Sequence, residues 1–395
     1  MGGPARILGC GVLCGAGRGV ASFWRALRAA EPGQAPHDLG DPLLSASYVA
    51  IPEARDPGAD DLATRWLRSA CRDALDEAAP RLASLEGARI ALLAGTSLGG
   101  ISVLERLQRQ AWDPSGSRGA GLPTPALPLW RGLYDGPTTT LARELGASAL
   151  TLNTACSSAA HALGLARRWL AQRRIDVAVV AGFDAVSPFV HAGFSALGAV
   201  DPAPTAPFCR DRRGLNLGEA ALAFVLARPH DVPAAAGDVD LVGYGSSCDA
   251  HHLTRPDPGG AGLARAIAQA LADADLEPAD IEVLSAHATG TPFNDAMEDA
   301  AFATVFGAHR PFVHCAKPVT GHTLGAAGAV DALAMVLALR EGLLPRTYRR
   351  GEPDPALLFQ PPAAEVKLAP SAHVLSTSSG FGGSNAALVL ARAQA

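Results

Sequence analysis

Lysine is almost missing from this sequence: of 33 basic residues among 395, only Lys317 and Lys367 are lysines. A lysine inside a motif is therefore more informative than usual. Positive charge is not in surplus either. The formal net charge is -5, whereas neutralising a phosphate backbone needs the opposite sign, so nucleic acid is excluded as a partner. No run reaches the roughly 18 apolar residues of a bilayer span; the best candidate, 324–339, is interrupted by Asp331 and diluted by Gly and Ala. A membrane span is not expected. The apolar stretch 7–13 behind Arg6 is too short and too glycine-broken for a secretory signal, and Arg6 stands where a myristoylation pattern needs Ser or Thr. The seven cysteines are odd in number and contain no C-x-x-C pair. They read as free thiols in a reducing compartment, which places the protein in the cytoplasm.

What is present is the material of a compact core: 48% apolar residues against 18% charged. Short apolar, glycine-punctuated runs at 5–14, 89–95, 149–154, 176–182 and 220–227 read as buried strands. Helical stretches lie between them; in 61–79, Leu62, Trp66, Cys71 and Leu75 fall near a 3.6 period. This is an α/β pattern. The segment 228–233, with Pro229 and Pro233, reads as a linker, dividing the chain into halves 1–228 and 229–395 of ordinary domain size. The second half repeats the first in outline: strand 239–245, helix 262–276, strand 281–286, helix 295–306, long helix 324–341, then strands 373–377 and 386–391. Segments 112–129 and 348–370, rich in Pro, Gly and Ser, read as surface loops that cover or border a site.

Four segments carry chemistry. In the first, Cys156 follows the apolar run 149–154 and precedes an amphipathic helix ending near Arg174. A thiol at such a strand-to-helix corner faces unpaired helix N–H groups and the positive end of the macrodipole, which should lower its pKa and make it nucleophilic. The second segment places His287 in His287-Ala-Thr289-Gly-Thr291 at the end of a short strand. The third, Lys317-x-x-x-Gly-His322-x-x-Gly-Ala-Ala-Gly, opens the long helix. Strand ends are where ligands of open α/β sheets gather. In the fourth, Gly380-Phe381-Gly382-Gly383 joins the last two strands, where glycines permit unusual φ/ψ and backbone N–H groups can meet an oxyanion. Cys248, His251 and His252 lack a fourth ligand at a recognisable spacing, so a metal site is not expected there.

These four segments, in this order and spacing, resemble the elongating β-ketoacyl-acyl-carrier-protein synthases (type II ketosynthases of the thiolase superfamily). The resemblance covers essentially the whole chain. It implies the thiolase fold, two βαβαβαβ halves in a five-layered α-β-α-β-α sandwich. It also implies Cys156 as nucleophile, His287 and His322 as paired catalytic histidines, and Lys317 as support for the second. Backbone N–H groups of Cys156 and Phe381 would form the oxyanion hole, Phe381 would gate the acyl pocket, and Thr289 and Thr291 would line the phosphopantetheine channel. The implied reaction is a decarboxylative Claisen condensation with malonyl-ACP, without metal or redox cofactor. The partner is an acyl carrier protein and the assembly a homodimer, or a heterodimer with a chain-length subunit.

The sequence departs from the family at Ala288 (commonly Gly), Ser379 (commonly Phe), Asp331 (commonly Glu), Cys209 and Arg213 (commonly Asp). None removes a reacting group. They bear on chain specificity and favour a specialised polyketide or polyene pathway over fatty-acid synthesis. Two other readings stay open: a non-catalytic chain-length subunit, which typically lacks the Cys, and an acyltransferase to a hydroxyl or amine acceptor.

Overall fold

Apolar strands, most of them buried on both faces, set the frame. Five come from the first half of the chain: β1 (Ala5–Cys14), β2 (Ile90–Gly95), β3 (Ser148–Leu152), β4 (Val177–Asp184) and β5 (Ala220–Ala227). Five come from the second: β6 (Val239–Cys248), β7 (Ile281–Ser285), β8 (Phe312–His314), β9 (His373–Gly380) and β10 (Ser384–Arg392). The computed structural model describes residues 2–39, 46–53, 61–83, 85, 87–111 and 128–393. Its main sheet runs β8-β7-β9-β10-β6-β1-β5-β4-β2-β3. Each wing holds a parallel trio (β3-β2-β4 and β8-β7-β9) followed by two antiparallel strands, in matching chain order. The faint repeat in the sequence is thus a repeat of topology. The wings meet where Ala5 to Ile7 pair antiparallel with Val239 to Leu241.

Helices fill the layers. They are α1 (Val20–Ala29), α2 (Leu62–Leu82), α3 (Ile101–Ala111), α4 (Gly136–Leu145), α5 (Ser158–Ala171), α6 (Pro188–Ala196), α7 (Ala261–Ala274), α8 (Pro292–Phe306), α9 (Lys317–Thr320) and α10 (Ala327–Glu341). α2 and α4 cover the outside of the first wing, α7 and α8 the outside of the second, and α5 and α10 lie between the wings in contact with both. This is the five-layered thiolase fold. α10 shows why the sequence folds this way. Every residue from Ala327 to Leu339 is buried, and a helix without a polar face belongs between two sheets rather than on a surface. The run that came closest to a bilayer span is this central helix, and no described helix is long and apolar enough to cross a membrane.

Several expectations need adjustment. The long helix starts at Ala327, after a 3-10 turn over Leu324–Ala326, because Leu324 is left-handed at φ +55°, and Asp184 accepts the free Gly325 N–H. The segment read as a linker contains the 3-10 turn Pro229–Asp231, and Arg228 pins it by donating to the Leu170 and Ile175 carbonyls. Of the two loops, 112–127 lies outside the described residues. The other, 348–370, buries Leu357 and Phe359 against the second half's core, and none of its residues lines the cavity at Cys156.

Candidate active site

Cys156 sits where β3 gives way to α5. The turn Asn153 to Ser157 bends sharply, with Ala155 at φ +51°, a left-handed conformation that costs a non-glycine residue roughly 1 kcal/mol. The side chain is 6% exposed. Burial dominates its chemistry and pushes the thiol up to about 12, the opposite of the depression expected from its helix N-terminus alone. The nearby Lys317 charge and backbone hydrogen bonds from the Phe381 and Cys156 amides draw it down without offsetting the loss of water, and Asp184 raises it further.

His287 follows β7, and His322 lies in the loop between α9 and α10. His322 Nε2 is 3.0 Å from Cys156 Sγ, and the two imidazoles meet edge to face with centroids 5.2 Å apart at 85°. Burial, and then the Lys317 charge, hold both well below the usual histidine range; for His287 the His322 ring adds to this. Both rings are neutral at physiological pH. Lys317 itself is buried and pairs with Asp331 through Nζ and Oδ2 at 2.8 Å. The shorter acid at position 331 still reaches it.

Carboxylates without an assigned role in the sequence reading hold these loops. Glu298 on α8 accepts the His287 amide at 2.6 Å and the Ala288 amide at 2.7 Å, as well as Asn294 Nδ2 at 2.9 Å. Those bonds fix Ala288 at φ +48°, where a glycine would rest without strain. Asp295 accepts the Phe208 and Gly290 amides. Asp184, at the end of β4, accepts from Thr96 Oγ1, Ser97, Leu98 and Gly325, tying the first half of the chain to the approach of α10. Burial raises Glu298 to about 7, and Asp184 and Asp295 to about 6.

The Gly380-Phe381-Gly382-Gly383 loop closes the site. A Cβ at position 380 would stand 2.6 Å from the Thr154 carbonyl and 3.2 Å from the Cys156 amide, so only glycine lets the Phe381 amide approach the sulfur. Gly382 and Gly383 have φ +83° and +78°. Phe381, 38% exposed, stacks on Phe194 of α6 with centroids 5.6 Å apart, a partner that sequence reasoning missed. Ser379 donates to Asn385 Oδ1 at 2.8 Å. A cavity of about 350 Å³ is lined by Cys156, His287, His322, Thr289, Thr291 and Phe381, among others. The Thr289 and Thr291 hydroxyls are 3.0 Å apart, and Thr291 also caps α8 by accepting the Asn294 amide. Lys317 lies behind the cavity rather than in its wall.

A wider groove, about 1360 Å³, lies between α1 and the end of α10 and holds none of the motif residues. Among the described residues no three His, Cys, Asp or Glu side chains are placed to hold a metal ion. His252 instead accepts the Thr254 and Arg255 amides in a surface turn.

Known proteins place this geometry in a family. The family described as Beta-ketoacyl synthase, N-terminal domain, matches residues 53–231, and Beta-ketoacyl synthase, C-terminal domain, matches residues 239–349. The 3-oxoacyl-acyl-carrier-protein synthase 2 of Coxiella burnetii is 30% identical over 414 aligned residues, covering 98% of either chain. Its Synechocystis namesake is 32% identical over 338, covering 82% of this chain and 80% of its own. Among solved structures, the ishigamide ketosynthase/chain length factor superposes with a TM-score of 0.88 at 30% identity, covering 100% of both chains. With matches in both halves and relatives aligned along nearly its whole length, the chain belongs to the beta-ketoacyl synthase family.

Proposed function

We propose that this chain is a β-ketoacyl-acyl-carrier-protein synthase that joins an acyl group carried on Cys156 to the two carbons left when a malonyl thioester loses CO2. The contact that carries this reading is His322 Nε2 at 3.0 Å from Cys156 Sγ, with His287 edge-on to the same imidazole. In the first half-reaction Cys156 attacks the acyl thioester while His322 Nε2 takes the thiol proton. The tetrahedral oxygen moves into the reach of the Cys156 and Phe381 amides, and the carrier thiol leaves with the proton.

In the second half-reaction the malonyl group sheds CO2, and the bonding electrons pass to the thioester oxygen. An enolate needs hydrogen-bond donors, and neutral imidazoles supply N–H groups without a competing full charge; burial and Lys317 keep His287 and His322 in that form. The enolate carbon attacks the acyl carbonyl, a C–C bond forms, the C–S bond breaks, and the Cys156 thiolate takes up one proton from solvent. Electrons balance within the substrates, so the scheme calls for neither metal nor redox cofactor.

An acyl carrier protein is the partner, as the names of the relatives state for them. The ishigamide ketosynthase/chain length factor supports a heterodimer with a chain-length subunit, and the departures at Ala288 and Ser379 favour a specialised polyketide or polyene product; a homodimer in fatty-acid synthesis is the competing arrangement, distinguished by native mass. Seven free cysteines support a cytoplasmic location. Incubation with a panel of acyl carrier proteins should add one acyl mass to the wild type and none to Cys156→Ala, with CO2 released from malonyl carrier protein. Absence of acylation and condensation with every carrier would overturn the reading in favour of a chain-length subunit. Turnover with a hydroxyl or amine acceptor and no malonyl requirement would point to an acyltransferase instead.

A further inference from the structure

We propose that Arg213 and Arg255 form a clamp at the mouth of the cavity that binds the phosphodiester of the carrier-borne arm. The inference rests on the condensing reading and deepens it. Both arginines are exposed and both line the cavity that reaches Cys156. The one carboxylate in the same lining, Asp249, is already engaged: Oδ1 accepts Asn385 Nδ2 at 2.7 Å and Oδ2 accepts the Asp257 amide at 3.3 Å. Two guanidinium groups against that single carboxylate leave the rim net positive.

The acids around Arg213 are spoken for by its neighbours. Arg350 pairs with Asp201 at 2.7 Å and Asp211 at 3.5 Å; Arg212 pairs with Asp354 and, at 3.8 Å, with Asp295. Among the described residues neither Arg213 nor Arg255 has a carboxylate partner. Arg255 is held instead by a ring: its guanidinium lies 5.2 Å from the centroid of Phe293, which is 61% exposed. Stacking leaves the edge of the planar fork free for an anion. Phe293 is also in the first turn of α8, whose 15 residues direct the positive end of their macrodipole to the same rim.

A guanidinium fork fits phosphate oxygens through two parallel hydrogen bonds. An arm that enters thioester first, with its thioester at Cys156 and its amides along Thr289 and Thr291, carries its phosphate at the outer end, where these side chains are. Arg213 and Arg255 are thus specificity residues that separate a phosphorylated arm from an otherwise equal one.

Calorimetric titration with 4′-phosphopantetheine and with pantetheine tests this without any turnover. The wild type should bind the phosphorylated compound about tenfold more tightly, the order expected of one charge-assisted pair. Arg213→Ala and Arg255→Ala should each cut that preference to about threefold, the double variant should abolish it, and Arg213→Lys, which keeps the charge but loses the fork, should fall between Arg213→Ala and the wild type. Equal binding of the two compounds by the wild type, or a preference that survives in the double variant, overturns the clamp, whether an acidic carrier surface or the malonyl carboxylate is then the ligand of these arginines. Phosphate preference in a protein whose Cys156 accepts no acyl group would sink the condensing reading and leave the clamp standing.

Discussion

At the scale of single residues, the thiol proposed as nucleophile is held in reserve. A thiol at a helix N-terminus is ordinarily acidified, and the sequence alone offers no way to weigh that against burial. The structure reverses the expectation: desolvation carries Cys156 from 9.0 to about 12. A folded-state value above the ordinary one favours the protonated form, so the stability it contributes is complete below pH 9 and is lost as pH rises toward 12. The same shift governs reactivity. Iodoacetamide alkylation of Cys156, followed by peptide mass so that the exposed Cys248 is counted separately, should rise about tenfold per pH unit through pH 9; a plateau reached by pH 8 would contradict it. Cys156, His287 and His322 were legible because each is an unusual residue in a small-residue loop. Glu298 was not, since a glutamate within a helix reads as a solvated face, and nothing in local sequence marks one whose side chain folds back onto two amides.

At the scale of elements, the strands were readable and the short helices were not. β1, β4 and β5 are buried at every position, so their apolar runs admit one interpretation. α1, α3, α4 and α6 went unread: each is short, α4 and α6 begin at Gly-Pro and Ser-Pro, and tertiary packing rather than propensity sustains helices of that length. α8 is the element on which the site turns. It brings Glu298 beneath His287 and Ala288, and its raised value of about 7 means that the carboxylate's contribution to stability is present below about pH 4.5 and is lost as pH rises to 7. Glu298→Gln offers one oxygen and one NH2 to two N–H donors, so one amide loses its acceptor and the His287 loop shifts. Malonyl decarboxylation should fall on the order of tenfold to a hundredfold, as expected of a misplacement near 1 Å, and the decline of Tm between pH 5 and 7 should flatten. Unchanged decarboxylation would show that Glu298 does not position His287.

At the scale of the whole molecule, the two halves of the sequence do not own separate interiors. The largest core cluster joins Cys10, Leu163 and Leu222 from the first half to Leu333, Val374 and Leu388 from the second. α10, from the second half, touches β4 and β5 of the first, while α5, from the first, touches β6 and β10 of the second. Six large apolar side chains of α10, from Val330 to Leu339, are buried in that layer; at about 1.5 to 3 kcal/mol each they contribute on the order of 10 kcal/mol. That is comparable with the whole stability of a typical protein, so neither half can keep its fold while the other opens. The site obeys the same logic, because Cys156 comes from one half, His287 and His322 from the other, and Asp184 reaches across to the Gly325 amide. Unfolding in urea should therefore be one transition. All five tryptophans lie in residues 1–228, so their fluorescence reports the first half, while hydrogen exchange of the peptide spanning β9 and β10 reports the second, and the two midpoints should coincide. Separate midpoints, or a 1–228 fragment that is soluble and protected from exchange on its own, would show that the shared middle layer is not what holds the molecule together.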